Sequence, residues 1–175
     1  MDRKPLLHLL GRIARATLFM TLLLFLDACD VTEAPVTGKV VGVPDGDTVI
    51  LLIDGRKEKV RLFGIDCPEL PQAFGRKAKR FTGSMVYGKT VSLVRKDTDQ
   101  YGRTLGMIEV DGEFLDQVLV RCGYAWHYRR YSSSRLLDSL ENEARRRKTG
   151  LWADPNPVAP WKFRNRAGHQ STPDL

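Results

Sequence analysis

Apolar and β-branched residues crowd positions 36–43, where Val40, Val41 and Val43 favour extended backbone. Asp45-Gly46 follows as a turn signal of the hairpin kind. Residues 48–53 read as a second strand, Asp54-Gly55 as a second turn and 58–63 as a third strand. From 74 to 86 the period lengthens: apolar Ala78, Phe81, Met85 and Val86 alternate with basic Arg76, Lys77, Lys79 and Arg80, which predicts a helix. Two more strands are expected at 90–95 and 105–110. Asp111-Gly112 then turns the chain into a helix over 114–122. Leu136, Leu137, Leu140 and Ala144 share one face of a last helix over 134–148, with Gly150 expected to close it.

Five strands with a helix between the third and fourth match the order of an OB-fold, a five-stranded Greek-key β-barrel. The fold class read from the sequence is therefore α+β, with three helices around that barrel. The chain has 175 residues, enough for one domain with a proper core and little more.

The two ends read differently from the middle. Arg3, Lys4, Arg12 and Arg15 precede an almost wholly apolar run over 16–26. That run is short for a bilayer span and suits the core of a signal peptide. It ends at Leu26-Asp27-Ala28-Cys29, which resembles a bacterial lipoprotein cleavage site with Cys29 as the lipidated residue. Ordinary cleavage nearby, giving a secreted soluble protein, and an uncleaved anchor are the alternatives. The expected organisation is a signal peptide at 1–28, a linker at 29–36, one catalytic domain at 37–153 and a tail at 154–175. Pro155, Pro157, Pro160 and Pro173 suggest that this tail is extended and then disordered.

The formal charge is +7, and about +5 remains once residues 1–28 are removed, so the mature chain should favour polyanions. With Cys29 set aside, Cys67 and Cys122 remain. An exported protein could join them, but two separate small buried thiols are the preferred reading. Nothing in the sequence asks for an oligomer, and a monomer is expected.

Candidate chemistry lies in three segments: Pro44-Asp45-Gly46-Asp47-Thr48, Arg61-Leu62-Phe63-Gly64-Ile65-Asp66-Cys67-Pro68-Glu69 and Asp99-Gln100-Tyr101-Gly102-Arg103. Asp47, Asp66 and Glu69 with Arg61 and Arg103 are the residue types needed to hold a hard cation beside a phosphodiester and to deliver water to phosphorus. Taken singly, each has a plainer reading. Asp47 could be a turn residue, Glu69 a loop carboxylate and Arg61 a strand-surface cation.

Together, in this order, they resemble the staphylococcal nuclease (thermonuclease) family from about residue 37 to 152. The resemblance implies Ca²⁺ held by Asp47, Asp66 and the backbone carbonyl of Cys67. Asp45 would stand beside the metal without binding it. Calcium accepts about six to eight oxygen ligands, which leaves room for water and a substrate phosphate. Glu69 would act on the attacking water, while Arg61 and Arg103 would grip phosphoryl oxygens. Tyr101 and Tyr131 would line the nucleotide pocket, where aromatic faces stack on bases without reading sequence. Trp126, His127, Tyr128, Arg129 and Arg130 form an aromatic and basic cluster that could extend the substrate track, with His127 read as structural or solvent-facing.

The expected activity is an exported, calcium-dependent nuclease acting on DNA and RNA and leaving 3′-phosphates. The competing class is a non-catalytic OB-fold binding module. Such modules usually lack several active-site charges, and this chain keeps five.

Overall fold

The computed structural model describes residues 36–169. The strands are β1 (Val36–Gly42), β2 (Thr48–Ile53), β3 (Arg56–Leu62), β4 (Ile65–Asp66), β5 (Thr90–Thr98), β6 (Thr104–Val110), β7 (Glu113–Phe114) and β8 (Trp126–His127). The helices are α1 (Gly75–Val86), α2 (Leu115–Arg121), α3 (Arg135–Arg146) and α4 (Pro160–His169), with a 3-10 turn at Gly150–Ala153. The leader at 1–28, Cys29 and nearly all of the linker lie outside the described residues.

Strand alternation sets the barrel. Val49 and Leu51 of β2, Val60 and Leu62 of β3, Val91 and Leu93 of β5, and Ile108 and Val110 of β6 point inward and are buried. β3, β2, β1, β5 and β6 pair antiparallel in that order. A parallel pairing of Val60, Arg61 and Leu62 with Thr104, Leu105 and Gly106 closes the ring. This is the five-stranded barrel expected. Helix α1 covers it with Ala78, Thr82 and Val86, and α2 with Leu115, Val118, Leu119 and Val120.

Two of the three Asp-Gly signals are tight hairpins. Asp54-Gly55 and Asp111-Gly112 both have positive φ at both residues, as a type I′ turn requires. Asp45-Gly46 is not one of them. Strand β1 ends at Gly42 and β2 starts at Thr48, so the connection is longer, and Gly46 has no positive φ. Gly46 is needed there for space. A Cβ would lie 2.8 Å from the Cys67 Cβ and 2.9 Å from the Ala78 Cβ.

Strand β5 runs past residue 95 to Thr98. A bulge between Arg95 and Asp97 keeps it paired with β6. Arg95 also bridges to Glu58 of β3 at 2.7 Å, and Thr104 donates to the same carboxylate at 2.6 Å.

The C-terminal third departs furthest from expectation. Among the described residues there are four α-helices rather than three. Ser134 caps α3 by accepting the Leu137 N–H at 3.3 Å. Lys148, with φ 51°, ends it in place of Gly150. The N–H groups of Lys148 and Thr149 return to the carbonyls of Arg145 and Ala144, which is a Schellman closure. Beyond the prolines the chain is not extended. It forms α4, with Pro160 at the first helical position, where a missing N–H costs nothing.

A second apolar cluster of Trp126, Ala144, Leu151, Trp152 and Ala159, joined by Phe74 and Trp161, holds this region together. Arg145 lies 3.7 Å from the Trp152 ring centre. Cys67 and Cys122 are separate thiols. No helix among the described residues is long and apolar enough to cross a membrane.

Candidate active site

Asp47 and Asp66 reach the site by different routes. Asp47 leaves the β1–β2 connection, where Asp45 Oδ1 accepts the Asp47 N–H at 3.2 Å and Thr82 on α1 donates to the Gly46 carbonyl at 2.6 Å. Asp66 ends β4, which pairs antiparallel with β8, so that Asp66 lies opposite Trp126 and Ile65 opposite His127. Strand β8 is braced in turn: buried His127 meets Asp138 through Nδ1 at 2.8 Å, and Arg129 bridges Asp138 and fully buried Glu141 at 2.7 Å each. The Cys67 N–H, next along from Asp66, donates to Asp47 Oδ2 at 2.7 Å. One hydrogen bond thus ties the two aspartate-bearing segments together.

Arg61, on β3, spans the pair. Its Nη1 donates to Asp47 Oδ1, and its Nη2 to Asp66 Oδ1 at 2.7 Å. Burial pushes the Asp47 carboxyl up, to about 7, even though Arg61 and the Cys67 N–H pull against it; Asp45 and Asp66 add to the rise. Burial likewise pushes the Cys67 thiol up, with Asp47 adding to it.

Glu69 sits in the loop between β4 and α1. Its carbonyl accepts the Gln72 N–H at 2.8 Å, and its own N–H donates to the Gln72 side chain at 3.2 Å. The loop passes so close to the start of α1 that a Cβ on Gly75 would lie 1.8 Å from the Glu69 carbonyl oxygen. Phe74, before it, has φ 68°, an unusual conformation for a bulky residue and one that accompanies this tight passage.

Arg103 is held by its own turn. Asp99 accepts the N–H of Tyr101 and of Arg103 at 2.9 Å each and the Arg103 Nε at 2.7 Å. Burial acts upward on the Asp99 carboxyl, but the Arg103 donors and the Tyr101 N–H outweigh it and hold it below the usual carboxylate range.

A cavity of about 600 Å³ brings these groups together. Asp45, Asp47, Arg61, Cys67, Glu69, Arg103, Tyr101 and Tyr131 all line it, and Asp66 borders it through its bonds to Arg61 and Arg164. Tyr101 and Tyr131 are exposed, free to meet a ligand. The 126–130 cluster divides. Trp126 and His127 are core residues and Arg129 is tied down by carboxylates, so of these five Tyr128 faces the cavity.

The donor set suits a hard dication. Asp47 and Asp66 offer paired oxygens, and the raised Asp47 carboxyl marks a buried anion that one arginine undercompensates. No group of three or more His, Cys, Asp and Glu side chains that could hold a metal occurs among the described residues. A cation here would need backbone, water or substrate oxygens besides the two aspartates, as calcium commonly accepts.

Residues 59–154 match the model of the staphylococcal nuclease homologue family. The chain is 41% identical to an uncharacterized endonuclease of Escherichia coli O157:H7 over 149 residues, 85% of this chain and 97% of that protein. It is 39% identical to an uncharacterized endonuclease of Haemophilus influenzae over 158 residues, 88% of each chain. It is 37% identical to a micrococcal nuclease of Shigella flexneri over 146 residues, 77% of this chain and 83% of that protein. This chain belongs to the staphylococcal nuclease family.

In this family member's cavity, the residue bonded to both Asp66 and Glu69 escaped the sequence reading. Arg164, on α4, donates to Asp66 Oδ2 at 2.9 Å and to Glu69 Oε1 at 2.6 Å. It lies beyond the span that the family model matches. The signal for it was present: Pro160 followed by Trp161 and Phe163 is a helix start carrying aromatic residues that need cover.

Proposed function

We propose that this nuclease is an exported, calcium-dependent enzyme that hydrolyses phosphodiester bonds of DNA and RNA with little sequence preference. The observation that supports this best is the gathering of two aspartates, one glutamate, two arginines and two exposed tyrosines around one cavity. A binding module needs the tyrosines and arginines but gains nothing from a buried carboxylate pair beside a glutamate.

In this reading Glu69 orients a water and takes its proton as the oxygen attacks phosphorus. The bond from phosphorus to the 5′ oxygen breaks, that oxygen gains a proton, and the phosphate stays on the 3′ side. Arg61 and Arg103 stabilise the negative charge that builds on the phosphoryl oxygens. Arg61 spans the two aspartates when no substrate is bound, so it must turn at least one arm toward the phosphate. Calcium held by Asp47 and Asp66 would supply further charge neutralisation. Tyr101 and Tyr131 offer stacking faces for bases, which are sequence-tolerant.

Cleavage of plasmid DNA and of RNA should require calcium and stop in a calcium-selective chelator. Glu69→Gln should cost about 10²–10⁴ in kcat, and Arg61→Ala or Arg103→Ala about 10²–10³. Wild-type rates in chelator, or in all three variants, would contradict this reading.

The leader, its apolar run and Ala28-Cys29 support export, with a lipid anchor at Cys29. Incorporation of labelled fatty acid into the wild-type protein, but not into Cys29→Ser, is the expected result.

A further inference from the structure

The C-terminal segment is fastened to the cavity wall at three points. Ala159 and Pro160 are buried. Trp161 stacks on Tyr128 with ring centres 5.0 Å apart and meets Trp126 edge-on at 5.6 Å. Gln72, which holds the Glu69 N–H, donates its side-chain amide to the Val158 carbonyl. Arg164 follows Trp161 by three residues, nearly one helical turn, and enters the cavity. Its Nη2 donates to Asp66 Oδ2 at 2.9 Å, while its Nη1 reaches Glu69 Oε1 at 2.6 Å and Asp66 Oδ1 at 3.3 Å.

We propose that Arg164 is a positioning residue of the nuclease centre, coupling the Glu69 carboxylate to Asp66. The inference rests on the nuclease reading above. The two carboxylates differ in how they are held. Asp66 is fully buried, on a paired strand, with Arg61 on one oxygen. Glu69 sits on a loop with its side chain 37% exposed, and among the described residues its carboxylate bonds to Arg164.

A guanidinium is a rigid planar fork, so fixing one arm on Asp66 fixes where the other meets Glu69. Arg164 thereby passes the rigidity of a buried strand residue to a loop residue. An ammonium group, with rotatable donors on a flexible stem, can touch both carboxylates but does not fix one relative to the other. The same contact also fixes a cost. Arg164 occupies oxygens of Asp66 that a cation would want, so it should not strengthen metal binding.

The test uses the full chain as wild type, Arg164→Ala, Arg164→Lys and Trp161→Ala. Each is given single-turnover and steady-state cleavage of a labelled oligodeoxynucleotide, calcium titration calorimetry without substrate, and a circular dichroism melt. A misplacement of about 1 Å at a reacting group costs on the order of 100-fold. Arg164→Ala should therefore lose about 10- to 100-fold in kcat with KM within about threefold. Its calcium affinity should be equal to wild type or several-fold tighter.

Arg164→Lys keeps the charge and stem, so it serves if the alanine variant folds poorly. It should recover only a minor part of kcat. Trp161→Ala, which loosens the helix that delivers Arg164, should lower kcat in the same way. Wild-type or faster turnover in folded Arg164→Ala would overturn the proposal and make Arg164 a mere occupant of the carboxylates. So would a loss confined to KM, full rescue by lysine, or much weaker calcium binding. Wild-type protein that cleaves nothing would instead overturn the nuclease reading.

Discussion

Charge at this site is concentrated where solvent is scarce. Asp47 and Asp66 are almost fully buried, and Arg61, with its side chain 18% exposed, stands between them. Such a group is stable only while its charges balance, and it responds strongly when a phosphate or a cation arrives. Asp116 is a buried carboxylate away from that group. It lies in the first turn of α2, and its Oδ1 has no hydrogen-bond partner among the described residues. Burial raises its carboxyl to about 6, against the pull of the Asp116 and Gln117 backbone N–H groups.

Between about pH 4 and 6 the folded state therefore keeps a proton that the unfolded chain has released, and stability falls as pH rises through that window. Above it the loss is complete. Asp116→Asn keeps an acceptor for the N–H groups and removes the charge. It should be about 2 kcal/mol more stable than wild type at pH 7, with the gain vanishing near pH 4. Urea unfolding at several pH values reads this directly; an equal gain at both ends would mean that burial of the charge is not the cause.

At the level of elements, the site depends on short pieces that tertiary partners hold in place. β4 has two residues and β8 has two, too few to persist alone. They exist because Asp66 and Ile65 pair with Trp126 and His127, and because α3 braces β8 through Asp138 and Glu141. Helix α3 is in turn ended by Lys148 in the left-handed conformation. A non-glycine residue there costs roughly 1–2 kcal/mol, partly offset by the lower unfolded-state entropy of lysine. Lys148→Gly should thus stabilise the protein by about 0.5–1 kcal/mol with no change in cleavage rate. Guanidinium unfolding with an unchanged slope would carry that result, and a destabilised variant would show that the lysine side chain contributes more than its backbone costs.

Across the whole molecule two apolar clusters divide the work. The first fills the barrel and supports β3, which carries Arg61, and β2, whose preceding connection carries Asp47. The second joins Trp126, Trp152 and Ala159 with Phe74 and Trp161, and so links the Glu69 loop, β8 and α4. Ending the chain after Asp154 would remove Ala159, Trp161 and Arg164 while sparing the barrel. The expected outcome is a retained barrel signal in circular dichroism, a loss of about 2 kcal/mol in unfolding free energy from the exposed aromatic surface, and slow cleavage. Wild-type stability in that shortened protein would show that α4 contributes nothing to the second cluster.

The barrel was legible residue by residue, because inward and outward positions alternate along each strand and Asp-Gly marks two of the hairpins. The five charges were legible for another reason: Asp47, Arg61, Asp66, Glu69 and Arg103 need particular chemical types in a particular order, which a chain displays without folding. What surrounds them was not. The bridging of Asp47 and Asp66 by Arg61, the burial that raises the Asp47 carboxyl, and the bracing of His127 by Asp138 depend on how the elements pack in space, which the order of residues does not display. The tail shows the limit best. Four prolines argue locally for extended backbone, and local propensity is a weak prior where packing can override it. Only when Trp126 and Tyr128 stand ready to receive Trp161 does a helix at 160–169 become the better state, and only then does Arg164 arrive beside Glu69.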